Sequence, residues 1–185
     1  MIKIGSKEVP NEITELTVEQ FEKISNLTNN QELEPFEKWS QIFVSLGADI
    51  DELEDTEFNK FKEYIAEFVS VSIEPNKEFV KSIEVDGYTY QSFDEEFKLN
   101  VKDLKLIEKC ISHSPDNYIS KVLAILFKRT DLTKAEHYDE SHITFKSKLF
   151  KTQPAEMAIP FIVYIGDKLS ATAKQVIDEP TEVVE

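Results

Sequence analysis

Apolar side chains recur at helical spacing along most of this chain, so its fold must bury several amphipathic helices against one another. Val18, Phe21, Ile24 and Leu27 form the first stripe, behind a Thr17 and Gln20 pair whose types and spacing make a capping box. That helix is predicted to end near Asn29. Pro35 suits the first turn of a second helix, with Phe36, Trp39, Ile42, Phe43 and Leu46 as core rings and chains and Gly47 as its stop. After an acidic turn at residues 49–55, Thr56 is the expected cap of a third helix carrying Phe58, Phe61, Tyr64, Ile65, Phe68 and Val69 and ending before Pro75.

The period changes where residues 79–85 and 88–93, rich in β-formers, flank Asp86-Gly87. Asp-Gly between two such runs is the strongest short hairpin signal a sequence carries, because both turn residues need positive φ. A second, smaller hairpin is expected at residues 1–10, where Ile2 and Ile4 alternate with polar neighbours before Gly5. Helical spacing returns with Asn100 as cap for Val101, Leu104, Ile107 and Ile111. Ser114-Pro115 opens a helix holding Ile119, Val122, Leu123, Leu126 and Phe127, apolar enough to lie centrally. Residues 128–141 read as an exposed, charged connection with a short helical turn, followed by a helix at 142–151. Pro154 opens the last helix, in which Pro160 must sit near the start or produce a kink.

Together these signals predict an α+β fold that is predominantly α-helical: a helical N-terminal lobe, a β-hairpin, then a helical C-terminal lobe. Residues 1–75 hold the short hairpin and three helices, residues 76–177 hold the second hairpin and its helices, and residues 178–185 form an acidic flexible tail. The boundary falls where Pro75-Asn76 breaks the helical pattern.

At 185 residues the chain can bury a core without disulfides or metal, and Cys110, its single cysteine, can form no internal bridge. Asp and Glu number 36 against 21 Lys and Arg, a net charge of -15 that repels phosphate backbones and anionic membranes. Direct nucleic-acid and membrane binding are therefore not expected, and a DNA-mimic role ranks low because the carboxylates are spread over several helices and mixed with lysines. The most apolar stretch, residues 157–165, is too short for a membrane helix, and no basic segment leads into an apolar run near Met1. A cytoplasmic location is expected.

Catalysis needs a nucleophile with a positioned base, paired carboxylates in a cleft, or correctly spaced metal ligands. No such pattern declares itself, and a non-catalytic protein without metal or cofactor is the expectation. Cys110 and His113 stand at helical spacing, but with no third orienting motif a structural cysteine is the plainer reading. His137 and His142 lie among Glu136, Asp139 and Glu140 at a spacing that fits neither His-Glu-x-x-His nor a cysteine-based zinc pattern. Asp49 and Asp51 invite a calcium reading, yet the turn glycine of an EF-hand is missing, and an acidic turn favoured by a helix dipole accounts for them. None of the four glycines belongs to a phosphate-cradling loop.

The order of signals resembles that of small tail or baseplate assembly proteins of large tailed bacteriophages, including assembly chaperones. The residues that carry it are Ile2-Lys3-Ile4-Gly5 before Leu16-Thr17-Val18-Glu19-Gln20-Phe21, then Ser45-Leu46-Gly47 leading into an acidic helical segment. It continues through Val85-Asp86-Gly87-Tyr88 with Tyr90, Leu123-Ala124-Ile125-Leu126-Phe127-Lys128-Arg129, and Leu149-Phe150-Lys151 before Pro154-Ala155. The likeness spans residues 1–175 and consists of packing patterns, so it carries over no catalytic residue. Arg129 is followed by Thr130 and Asp131 where relatives would have a proline-bearing turn. The resemblance implies a chaperone in the host cytoplasm that shields a tail or baseplate structural protein before assembly; the alternative is a minor structural protein retained in the virion. Trp39, Met157, Phe161 and Tyr164 are the candidate partner contacts, with plain core packing of residues 157–165 as the competing and simpler reading.

Overall fold

The computed structural model describes residues 1–70, 78–92, 99–133 and 135–178. The fold is α+β and predominantly helical, with eight α-helices and two small antiparallel sheets among the described residues. The proposed boundary at Pro75-Asn76, the end of the second hairpin at Phe93 and the acidic tail beyond Asp178 lie outside the described residues.

The first sheet is the N-terminal hairpin, β1 (Ile2–Ile4) and β2 (Lys7–Val9), with Ile2 paired to Val9 and Ile4 to Lys7. Gly5 turns it with φ of +57°, and a Cβ there would strike the Glu52 carboxylate, so the position excludes a side chain twice over. Glu52 Oε2 instead accepts from the Ser6 amide at 2.9 Å. Helix α1 (Val18–Asn29) has the expected cap: Gln20 N donates to Thr17 Oγ1 at 3.2 Å and Thr17 N donates to Gln20 Oε1 at 3.0 Å. Helix α2 (Pro35–Ser45) begins on its proline, and Gly47 leaves it with φ of +109°.

The acidic turn at 49–55 is itself a short helix, α3 (Ile50–Glu54), because Asp49 Oδ1 accepts from the Asp51 and Glu52 amides at 3.0 and 3.2 Å. That helix takes Thr56, whose hydroxyl donates back to Glu52 O at 2.7 Å instead of capping the next element. Helix α4 (Phe58–Ser70) consequently starts with Phe61 N bonded to Glu57 O. The first core packs β1, β2, α2, α3 and α4 around Ile4, Val9, Ile42, Phe43, Leu53 and Phe61. Phe36 departs from the expected core stripe: it is 48% exposed, stacked on the rings of Phe58 and Phe61 at 5.3 Å each.

In the second hairpin β3 (Ser82–Val85) pairs with β4 (Tyr88–Gln91) across Asp86 and Gly87, with φ of 52° and 76°, the mirror-image turn the dipeptide predicts. Residues Lys128–Arg129, expected in an exposed connection, add a third strand, β5, with Tyr90 opposite Arg129. Two residues carry no readable alternation, and their partner is remote in sequence. Helix α5 (Val101–His113) is closed by Asn100, whose Oδ1 accepts from Lys102 N at 2.9 Å and Asp103 N at 3.1 Å, while Asp103 Oδ2 accepts from Asn100 N at 3.0 Å. Asn100→Ala is expected to lower the unfolding free energy by about 1 kcal/mol, read as a reduced urea midpoint at unchanged slope.

Helix α6 (Tyr118–Leu126) is the buried axis of the second core, every residue from Ile119 to Leu126 except Lys121 being interior. Around it pack α1, α5, α7 (Glu140–Lys151) and the start of α8 (Ile159–Asp178). Pro160 is the second residue of α8, where a missing amide costs nothing, and the helix continues past it with Ile162 N on Ala158 O at 3.1 Å. The two cores share material. Val18 of α1 joins the second, Ala155 joins the first, and backbone bonds Val18 N to Gln153 O and Ala155 N to Leu16 O, both 2.8 Å, tie them together.

Candidate functional site

Four residues were candidate partner contacts on sequence grounds, and the fold does not gather them. Trp39 is half-buried in the first core, its ring 6.1 Å from Phe43 and 6.0 Å from Phe68. Met157 and Phe161 are interior to the second core, and the Phe161 ring lies 5.1 Å from that of Phe127. Tyr164 is half-buried beside Phe79, with Lys168 Nζ 5.2 Å from its ring centre. As placed, Met157 and Phe161 offer a partner almost no surface, and Trp39 and Tyr164 are only partly exposed.

Cys110 lines a cavity of about 320 Å³ between α5, α6 and α7, with Leu106, Lys109, Lys121, Ile143 and Thr144. Burial pushes its thiol above the ordinary value despite the nearby Lys121 and Lys109 ammonium groups, which favours the protonated, unreactive form. His113 also lines this cavity, but its Nδ1 lies 3.0 Å from Lys109 O, on its own helix. His137 is buried, and desolvation together with Lys146 and Lys128 lowers its pKa, keeping the ring neutral. Asp49 spends its carboxylate on capping α3, and among the described residues no group of three or more His, Cys, Asp or Glu is arranged to hold a metal. No described helix is long and apolar enough to cross a membrane.

A different feature emerges on the N-terminal lobe. Helices α1, α2 and α3 border an open groove of about 510 Å³ whose floor is Leu27, Val44 and Ile50, edged by Lys23, Asn26, Gln41 and Ser45. Its surface is overwhelmingly apolar, and Val44 and Ile50 remain 39% and 44% exposed. Carboxylates stand next to several of its lining residues. Gln41 Nε2 donates to Glu37 Oε1 at 3.2 Å, Lys23 pairs with Glu19 at 3.5 Å, and Ile50 sits between Asp49 and Asp51 with Glu54 one helical turn on. The sequence carried one sign of this groove: Val44 is an apolar residue off the buried stripe of α2, on the face expected to be polar.

No family model matches the chain, and no curated protein or solved structure is found to be similar to it.

Proposed function

We propose that this chain is a non-catalytic protein-binding factor that acts as an assembly chaperone, shielding a phage tail or baseplate structural protein until it is incorporated. The observation that supports binding most directly is the apolar groove at Leu27, Val44 and Ile50, left open on a strongly acidic lobe. Water-facing apolar surface is a cost in a free protein and a gain in a complex, so such a groove favours a partner that covers it. The exposed Phe36 and Phe58 rings, stacked at 5.3 Å, add a second apolar feature on the same lobe. The excess of carboxylates on this lobe disfavours association of the carrier with itself, which suits a role in holding an aggregation-prone subunit. The phage assignment comes from the order of sequence signals, which resembles that of tail and baseplate assembly proteins.

Affinity capture of the chain from its native expression setting, with mass spectrometry of the co-purifying proteins and of mature particles, tests this reading. Tail or baseplate subunits are expected in the capture, and the chain itself is expected to be absent from particles. Recovery in particles at fixed copy number would make it a structural component instead. A capture with no partner would remove the chaperone role.

A further inference from the structure

Resting on the protein-binding reading, we infer that the groove between α1, α2 and α3 takes a basic amphipathic helix of the partner, its apolar face on Leu27, Val44 and Ile50 and its cations toward the carboxylate rim. Three observations select that chemistry. The first is the apolar floor, which calls for a partner segment with a continuous apolar stripe. The second is backbone pairing: the groove walls are helices whose amides and carbonyls bond within their own turns, so no strand edge is offered for β-addition. A polyproline segment calls for an aromatic-lined groove, which this lining does not supply, so a helix laying side chains at spacings of three and four residues into the groove is the mode that fits.

The third is charge. Between residues 30 and 70 the chain holds eleven Asp and Glu against three Lys, so this region carries more than half of the net -15. Glu37, bonded to the lining Gln41, and Glu54, one helical turn on from the lining Ile50, are exposed, while Lys23 on the groove's edge is already paired with Glu19. A lysine- or arginine-bearing helix meets complementary potential here at short range, where screening is weakest. A second copy of this chain would set the same carboxylates face to face, which disfavours self-association through this surface.

The probes are two fluorescent synthetic helices with identical leucine faces, one carrying lysines elsewhere and the other glutamates, titrated against the full chain. The lysine helix is expected to bind, with affinity falling as salt is raised, and the glutamate helix is expected not to. Val44→Gln with Ile50→Gln should weaken the lysine helix about tenfold or more. Both side chains are partly exposed, so an unchanged unfolding midpoint will show that the variant folds, and Val163→Gln on the other lobe serves as the control that leaves binding intact. Equal binding by wild type and the double variant would overturn the groove assignment, and equal binding of both helices would overturn the basic partner. A dimer that dissociates on Val44→Gln would assign the surface to a second copy and overturn the inference as well. Should neither helix bind while native partners are still captured, this docking mode fails and the protein-binding role stands. Should the lysine helix bind at the groove while capture finds no partner, the groove stands and the chaperone role fails.

Discussion

Replacing Phe161 by alanine is expected to remove about 3–5 kcal/mol of stability. The side chain has no solvent exposure, and its ring packs on Phe127 and Phe79, each with centroids 5.1 Å away. Truncation would forfeit the transfer free energy of the ring and leave a cavity beneath the first turns of α8, where Pro160 and the helix start limit collapse. Urea unfolding followed by circular dichroism should show a much lower midpoint at unchanged slope. A midpoint equal to wild type would mean that Phe161 does not occupy this core. Phe36→Ala offers the contrast: with nearly half its surface exposed, it should cost about 1 kcal/mol.

That contrast decides how partner binding can be probed by mutation. A Phe161 or Met157 variant that loses a partner would be losing the fold, since both side chains belong to the second core. Loss of binding at Val44 or Ile50 can be separated from loss of structure, because neither residue is a member of either buried core.

Signals that act within a few residues were legible in the sequence. The Thr17 and Gln20 box, the Asp86-Gly87 turn and the Pro35 and Asn100 helix starts all appear as read, because each depends on local backbone geometry. Thr56 departs from its expected capping role for a local reason too: Asp49 starts a helix whose last turn claims the Thr56 hydroxyl. What escaped was remote. Strand β5 exists through pairing with Tyr90 and Gln91, and the groove exists only because α1 and α3 stand beside the off-stripe Val44. Periodicity gives the direction in which a side chain points but not what stands opposite, so Phe36 shares the spacing of the buried stripe and lies half in solvent in the fold.

The same limit hides the arrangement that holds α6, whose ends are served by side chains from two other helices. At its first turn Ser120 N donates to Glu22 Oε1 of α1 at 2.6 Å, and beyond its last turn Lys146 Nζ of α7 donates to Phe127 O at 3.2 Å. Carboxylate at the start and ammonium at the end is the polarity the helix dipole favours, and it satisfies groups that a buried helix cannot offer to water. Both groups are nearly inaccessible, at 3% and 2% exposure, so each is held against desolvation. Burial raises the Glu22 pKa, against the pull of the Ser120 donors and Lys151. Burial, with Lys128 and Arg129 nearby and Asp103 opposing, lowers that of Lys146 to about 8.

Glu22→Ala should therefore cost about 2–3 kcal/mol, because it orphans the Ser120 amide in the interior and leaves a void. Glu22→Gln keeps an acceptor for that amide without a titrating carboxyl, and should match or exceed wild type at neutral pH. Lys146→Met should stabilise by about 1–2 kcal/mol at pH 7: relief of the buried charge, about 3 kcal/mol from the shift, outweighs the lost bond to Phe127 O, about 1 kcal/mol. The signs in pH follow from linkage. A lysine with a depressed folded pKa adds stability that is present above the unfolded value of 10.5 and lost as pH falls through about 8, so wild type should gain on Lys146→Met between those limits. A carboxyl with a raised folded pKa acts in the opposite sense, its stability being present below the unfolded value of 4.5 and lost as pH rises through the folded one, so Glu22→Gln should flatten the acid side of the profile. Urea midpoints measured across pH for the three proteins check both, and parallel curves for wild type and Lys146→Met between pH 8 and 10.5 would mean that Lys146 does not titrate in the interior.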